Sequence, residues 1–195
     1  MRYQFYTADV FTDRVFGGNP LAVFSDARGL DDATMQRIAR EFNLSETVFV
    51  LPPDDSAHTR RLRIFTPAGE LQFAGHPTVG TAFVLAQVGA LGPLEGERAA
   101  IVFEEGVGPV PVTIFLRDGR PTGAQLTAAK LPAAGQLPVA AADLAAVLGL
   151  DPAEIGYGDY GPEAVSSGGT PFTIVPLRDR AALAASRRLD TTAVA

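Results

Sequence analysis

Through the first 118 residues, apolar and polar positions mostly follow the two-residue period of β-strands. Residues 2–7 and 21–24 read as strands, separated by a loop holding Gly17, Gly18, Asn19 and Pro20. A helix is predicted at residues 32–42, where Met35, Ile38, Ala39 and Phe42 fall at the i, i+3, i+4, i+7 spacing. Asp31 or Asp32 can cap its start. Residues 47–51 are a short apolar run of branched and aromatic side chains, and residues 59–66 alternate Leu62 and Ile64 with arginines. Two further strands are predicted at 99–104 and 110–117, followed by the turn signal Asp118-Gly119.

One stretch departs from this pattern altogether. Residues 77–94 contain no charged side chain, and Gly75-His76-Pro77 stands at their entrance. Proline suits the first helical position, where its missing N–H would have no partner. The run is too short and too broken by prolines and glycines to read as a membrane span. A helix apolar on every face belongs inside a protein. Many strands around one such helix predict an α+β fold in which a sheet is rolled about a central helix.

From about residue 119 the pattern changes. Pro121, Pro132 and Pro138 interrupt a segment with a short strand near 124–128, and a helix at 140–148 is stopped by Gly149 and Pro152. Strands at 164–166 and 172–175 flank the loop Ser166-Ser167-Gly168-Gly169-Thr170, and an alanine-rich helix is predicted at 178–188. Two lobes are therefore expected, 1–118 and 119–195. The second reads as partial, because its last residues supply no closing strand or cap.

Composition narrows the chemistry. A 47% hydrophobic content can fill a core, and the formal charge is −6 with the basic residues scattered. Arg60, Arg61 and Arg63 are the densest basic group, and they read as the solvated face of a strand. Nucleic acid and anionic membrane, which require a concentrated positive field, are not expected partners. There is no cysteine, so disulfides, a thiolate nucleophile and a sulfur-based zinc site are excluded for these residues. The two histidines, His58 and His76, lack helical pairing, and no metal site is expected. The chain opens directly on a strand-like pattern without a basic segment and apolar run, which fits a cytoplasmic protein.

His76 admits two readings. At a helix mouth, beside a glycine that lets a ligand approach the backbone, it can bind a carboxylate or transfer a proton. Equally, it can cap the helix and bind nothing. Glu46, taken by itself, reads as an ordinary solvated glutamate at a loop-to-strand junction. Drawn into a cleft, its pKa would rise and suit general base work. The Gly17–Pro20 and Ser166–Thr170 loops are candidate substrate loops, but they lack the spacing of a nucleotide-binding motif and read first as turns. His58 is assigned to a surface loop without a role, and Asp9 stands as a minor polar candidate at a strand end.

Several segments together resemble the phenazine biosynthesis PhzF-like family. They are Phe11-Thr12 with Phe16-Gly17-Gly18-Asn19-Pro20-Leu21-Ala22-Val23-Phe24, then Asn43-Leu44-Ser45-Glu46-Thr47-Val48-Phe49-Val50. The third and most specific runs from Arg63-Ile64-Phe65-Thr66-Pro67 through Glu70-Leu71 to Phe73-Ala74-Gly75-His76-Pro77-Thr78-Val79-Gly80. Looser matches follow at Val165-Ser166-Ser167-Gly168 and Ile174-Val175-Pro176-Leu177.

The resemblance implies a diaminopimelate epimerase-like fold: two pseudo-symmetric lobes, each a sheet rolled around a central helix, with the active site between them. It also implies a cofactor-independent isomerase acting on a small carboxylate of dihydro-hydroxyanthranilate type. Glu46 is then the catalytic acid/base, with Ser45, Gly75, His76 and Pro77 in the substrate site, and a homodimer is expected. The family's second motif, of the type Glu-Asp-Pro-Ala-Thr-Gly-Ser, does not occur by Ala195. That leaves a second reading, a truncated and catalytically inactive binding or scaffold protein. An amino-acid epimerase or racemase is disfavoured, because it needs two opposed bases and one is visible.

Overall fold

Two parallel joins in an otherwise antiparallel sheet shape the first part of the molecule. The computed structural model describes residues 2–137, 139–167 and 170–187. Its first sheet comprises β1 (Phe5–Val10), β2 (Asn19–Phe24), β3 (Glu46–Leu51), β4 (Arg60–Phe65), β5 (Glu70–Leu71), β6 (Arg98–Glu105), β7 (Gly108–Arg117) and β8 (Arg120–Leu126). The order is β1-β2-β3-β4-β6-β7-β8, with β5 beside β4. β2 runs parallel to β3, and β4 runs parallel to β6. Parallel neighbours need a crossover. α1 (Asp32–Phe42) lies in the first crossover and α2 (Gly75–Gln87) in the second.

α2 packs against β1, β2 and β3 toward one margin of the sheet and against β7 and β8 at the other. A flat sheet cannot bring both margins to one helix, so the sheet is curled around α2. The uncharged stretch is thus an internal helix. His76, Pro77, Thr78, Gly80, Thr81, Ala82, Val84 and Leu85 are buried, and Val79, Phe83 and Ala86 on the remaining side are half-buried. Gly80 permits the close approach: a Cβ there would lie 2.6 Å from Leu21 Cδ2 and 2.7 Å from Val10 Cγ2. Among the described residues, no helix is long and apolar enough to cross a membrane.

The sheet carries a core on each face. Val48 and Val50 of β3 join Leu21, Val23 and the α2 side chains, whereas Phe49 joins the cluster formed with Met35 and Ala39 of α1. That explains the uninterrupted apolar run of β3: both its faces are covered. α1 starts at Asp31, whose side chain accepts from the Thr34 N–H, and ends at Asn43 in the left-handed conformation.

Some expected boundaries move. β1 begins at Phe5 rather than residue 2, because Phe5 pairs with Phe24 at the end of β2. Gly75 is the first helical residue of α2, so Pro77 is the third. The reason for a proline there survives, since no N–H of the first turn has an intrahelical acceptor. The expected lobe boundary at 118/119 would cut a hairpin: β7 pairs with β8 from Arg117↔Arg120 onward, and the first compact unit runs to Lys130.

The second unit begins at Leu131. β9 (Ala133–Gly135), β10 (Glu163–Ser167) and β11 (Thr170–Ile174) form an antiparallel sheet in the order β11-β10-β9. α3 (Ala141–Leu148) ends at left-handed Gly149. A 3-10 turn at Pro152–Glu154 is closed by a capping box between Asp151 and Glu154. α4 (Arg180–Ala185) is capped by Asp179 and is shorter than the helix expected at 178–188. Pro138, Gly168 and Gly169 of the predicted loop, residue 188 and the final residues lie outside the described residues.

Candidate functional site

Alternation along two adjacent parallel strands brings the first site residues together. Glu46 opens β3 two residues before Val48, and Asn19 opens β2 two residues before Leu21. Side chains two apart share a face, so both lie on the face that carries α2. The register Leu21↔Glu46 sets them at the same end of the sheet. The N-terminus of α2 arrives at that end with His76.

His76 Nε2 lies 3.2 Å from Glu46 Oε2, and the two side chains are 8% and 17% exposed. The atoms are close but misaligned, and neither has a hydrogen-bond partner among the described residues. The other ring nitrogen, Nδ1, lies 3.1 Å from Asn19 Nδ2. Accepting from Asn19 at Nδ1 would place the neutral ring's proton on Nε2, facing Glu46, whereas donating to the Pro20 carbonyl would place it on Nδ1. Burial lowers the His76 pKa, with hydrogen bonding to the Pro20 backbone acting the other way. Burial also raises the Glu46 pKa. Both shifts favour uncharged forms, which suits proton exchange between partners of matched strength.

The helix mouth beside this pair is open. Ala74 is the N-cap and makes no side-chain capping hydrogen bond. A Cβ added to Gly75 would meet nothing within 4 Å. Amides of an uncapped first turn attract anions. Ser45, next to Glu46, is exposed, and Pro77 is buried behind His76.

Other candidates turn out to be structural. Asp9 Oδ2 accepts from the Phe16 N–H at 2.8 Å and pins the loop after β1. His58 is half-buried rather than a free surface group: Nδ1 lies 2.9 Å from Glu104 Oε1. Both Glu104 oxygens also accept from the Asp54 and Asp55 N–H groups at 2.7 Å. The arginines of β4 are engaged rather than simply solvated. Arg63 pairs with Glu70 and Asp32, Arg61 with Asp54, and Arg60 donates to the Ala90 carbonyl.

A cleft of about 570 Å³ is lined by His58, Arg61, Arg63, Glu70 and Glu104 but contains neither Glu46 nor His76. Its arginines, His58, Glu70 and Glu104 are paired; Glu105, which also lines it, keeps one oxygen without a partner among the described residues. Among the described residues, no group of three or more histidine or acidic side chains is placed to hold a metal. Asn19 entered the sequence reading only as part of the Gly17–Pro20 loop, which read first as a turn; its even spacing from Leu21 and Val23 is the signal that places it on the α2 face.

Comparison with known proteins gives consistent neighbours. Residues 8–192 match the family model of phenazine biosynthesis-like proteins. An uncharacterized isomerase of Mesorhizobium japonicum is 48% identical over 187 residues, 95% of this chain and 59% of that protein. The trans-2,3-dihydro-3-hydroxyanthranilate isomerase of Pseudomonas aeruginosa is 42% identical over 118 residues, 60% of this chain and 40% of that one. A solved structure of a predicted epimerase from Pseudomonas aeruginosa superposes with a TM-score of 0.82 at 30% identity, over 97% of this chain and 64% of its own. The chain thus spans less than two thirds of each relative's length.

Proposed function

The chain belongs to the phenazine biosynthesis-like protein family, and on that premise we propose that it is an isomerase moving a proton between two carbons of a small carboxylic acid. The carrying observation is the pair of half-buried Glu46 and buried His76, 3.2 Å apart, with the facing atoms unsatisfied at an open helix mouth. In this reading the Glu46 carboxylate removes a proton from an activated carbon and, as the acid, returns it to another carbon on the same face. Its raised pKa strengthens it as a base and lets it hold the proton between the two steps. Restricted access to water keeps that proton from being lost.

His76, held by Asn19, presents Nε2 to the substrate and to Glu46 as charge shifts during the transfer. The Gly75 and His76 amides bind the substrate's carboxylate at the helix N-terminus, with Ser45 and Pro77 shaping the entrance. The substrate class follows the named relative: a dihydro-hydroxyanthranilate, handled without a cofactor in the cytoplasm.

The test compares wild type with Glu46→Gln on trans-2,3-dihydro-3-hydroxyanthranilate in heavy water. Wild type is expected to isomerise it with incomplete deuterium uptake, and the variant to bind it without turnover. Undiminished turnover by Glu46→Gln would end this assignment.

A further inference from the structure

A second buried carboxyl, Glu105, lies on the same face of the sheet and takes no part in the reaction above. β6 alternates inward through Ile101 and Phe103 to Glu105, which is 8% exposed at the strand's end. Glu105 Oε1 lies 2.6 Å from the Thr78 hydroxyl in the first turn of α2. That hydroxyl also lies 2.8 Å from the carbonyl oxygen of Ala74, the helix N-cap. Glu105 Oε2 has no hydrogen-bond partner among the described residues.

Proton counting decides what this arrangement requires. A threonine hydroxyl has one proton, and a carbonyl oxygen can only accept. If Thr78 donates to Ala74, the short contact to Glu105 needs its proton from Glu105. With an ionised carboxylate, Thr78 would have to turn away from Ala74, or the charge would stay buried without a donor. Thr78 also matters to Ala74 through distance: its backbone N–H reaches the same carbonyl at 3.3 Å, whereas its hydroxyl does so at 2.8 Å.

Nothing charged compensates Glu105. α2 carries no charged residue, and the neighbouring Gln72, Gly106 and Gly108 are uncharged. The charged groups sharing its cleft are committed elsewhere: Arg63 to Glu70 and Asp32, Arg61 to Asp54, the Asp55 carboxylate to the Ala57 N–H, and His58 to Glu104, itself held by the Asp54 and Asp55 amides. Burial pushes the Glu105 pKa up to about 7, with the Thr78 hydrogen bond a smaller influence in the opposite direction.

We propose that Glu105 is a positioning residue that works as a neutral carboxylic acid: it donates to Thr78, which holds the Ala74 carbonyl and thereby the turn presenting Gly75 and His76. Loss of its proton turns the Thr78 hydroxyl toward Glu105 and leaves Ala74 with its long backbone bond alone. The effect on turnover rests on the Glu46–His76 reading. The proton arrangement does not.

The test uses the full chain labelled with carbon-13 at glutamate carboxyls and titrated by NMR, with Glu105→Gln assigning the signal. The Glu105 carboxyl is expected to titrate near neutral pH, well above an ordinary value of 4.5, and the Gly75 and His76 amides to shift with the same midpoint. Those amide inflections should vanish in Glu105→Gln, whose amide can donate to Thr78 in place of the acid. An ordinary carboxyl midpoint, or amides that do not follow it, overturns the proposal. In kinetics, Thr78→Val should lower kcat about tenfold at little-changed KM by loosening the turn, while Thr78→Ser, which keeps the hydroxyl, should restore it. Equal losses in both variants also overturn it. Failure of Glu46→Gln to reduce turnover would instead strike the catalytic reading, leaving the carboxyl titration standing.

Discussion

Glu46 and Glu105 face α2 from the same side of one sheet, and burial raises the pKa of both. Their surroundings differ. Glu105 is buried at the wall of a cleft, with one oxygen on a hydroxyl whose other contact is the helix N-cap. Glu46 sits beside a histidine to which it is not hydrogen-bonded, at a helix mouth with no side-chain cap. A raised pKa therefore does not by itself mark a catalytic acid. What separates the two is the partner: Glu46 faces a histidine ring nitrogen that is itself unpaired among the described residues, whereas Glu105 faces a hydroxyl engaged with the helix N-cap.

The contrast breaks most sharply under Glu46→Gln. Turnover should fall by about 10²–10⁴, the usual contribution of a positioned acid/base, with folding stability nearly unchanged in a denaturant titration. The wild-type rate should also fall with acid at a pH above that of an ordinary glutamate, because the base must be ionised and burial raises its pKa.

Glu105→Gln should act the opposite way, on stability. The folded-state pKa lies above the unfolded one, so this group's stabilisation is full below the unfolded pKa and is lost as pH rises through about 7. From pH 4 to pH 8, wild type should lose on the order of 3 kcal/mol from this source. The glutamine variant should not lose it, and urea unfolding at several pH values reads the difference.

Asn19→Ala sharpens the comparison at a smaller scale. Without the amide at Nδ1, His76 loses a contact that fixes its ring, and turnover should drop about tenfold, with an altered His76 nitrogen-15 spectrum. Gly75→Ala should be the mildest. The fold has space for the methyl group, so stability should move by less than about 1 kcal/mol. KM should nevertheless rise, because the methyl narrows the approach to the helix amides.

Much of this architecture was legible because it rested on burial. An uncharged run of helical length has to be surrounded, and residues 47–51 are apolar without alternation because both faces of β3 are covered. Pairing was less visible. β5 and β9 are two and three residues long, too short to show a period, and β8 contains Pro121, which read as an interruption at the start of the second lobe. At the site, Glu46 and His76 were picked out through local sequence and family resemblance. Asn19 was hidden because Asn-Pro signals a turn, although here it begins a strand. Glu105 was hidden because a charge at the end of an alternating strand looks solvated, and only the curl of the sheet encloses it.

The outer aromatic cluster bears on the site without touching it. Phe49 stacks on Phe24 at 5.0 Å and meets Phe65 edge-on at 5.5 Å, on the face away from α2. Since β3 is apolar on both sides, hydrophobicity alone would scarcely oppose a one-residue slip against β2. Size opposes it, because the slip would drive a phenylalanine into a valine's place. The same slip would turn Glu46 away from His76. The phenylalanines thus serve as a parity check during assembly, so that molecules able to pack this layer carry their carboxylate on the correct side.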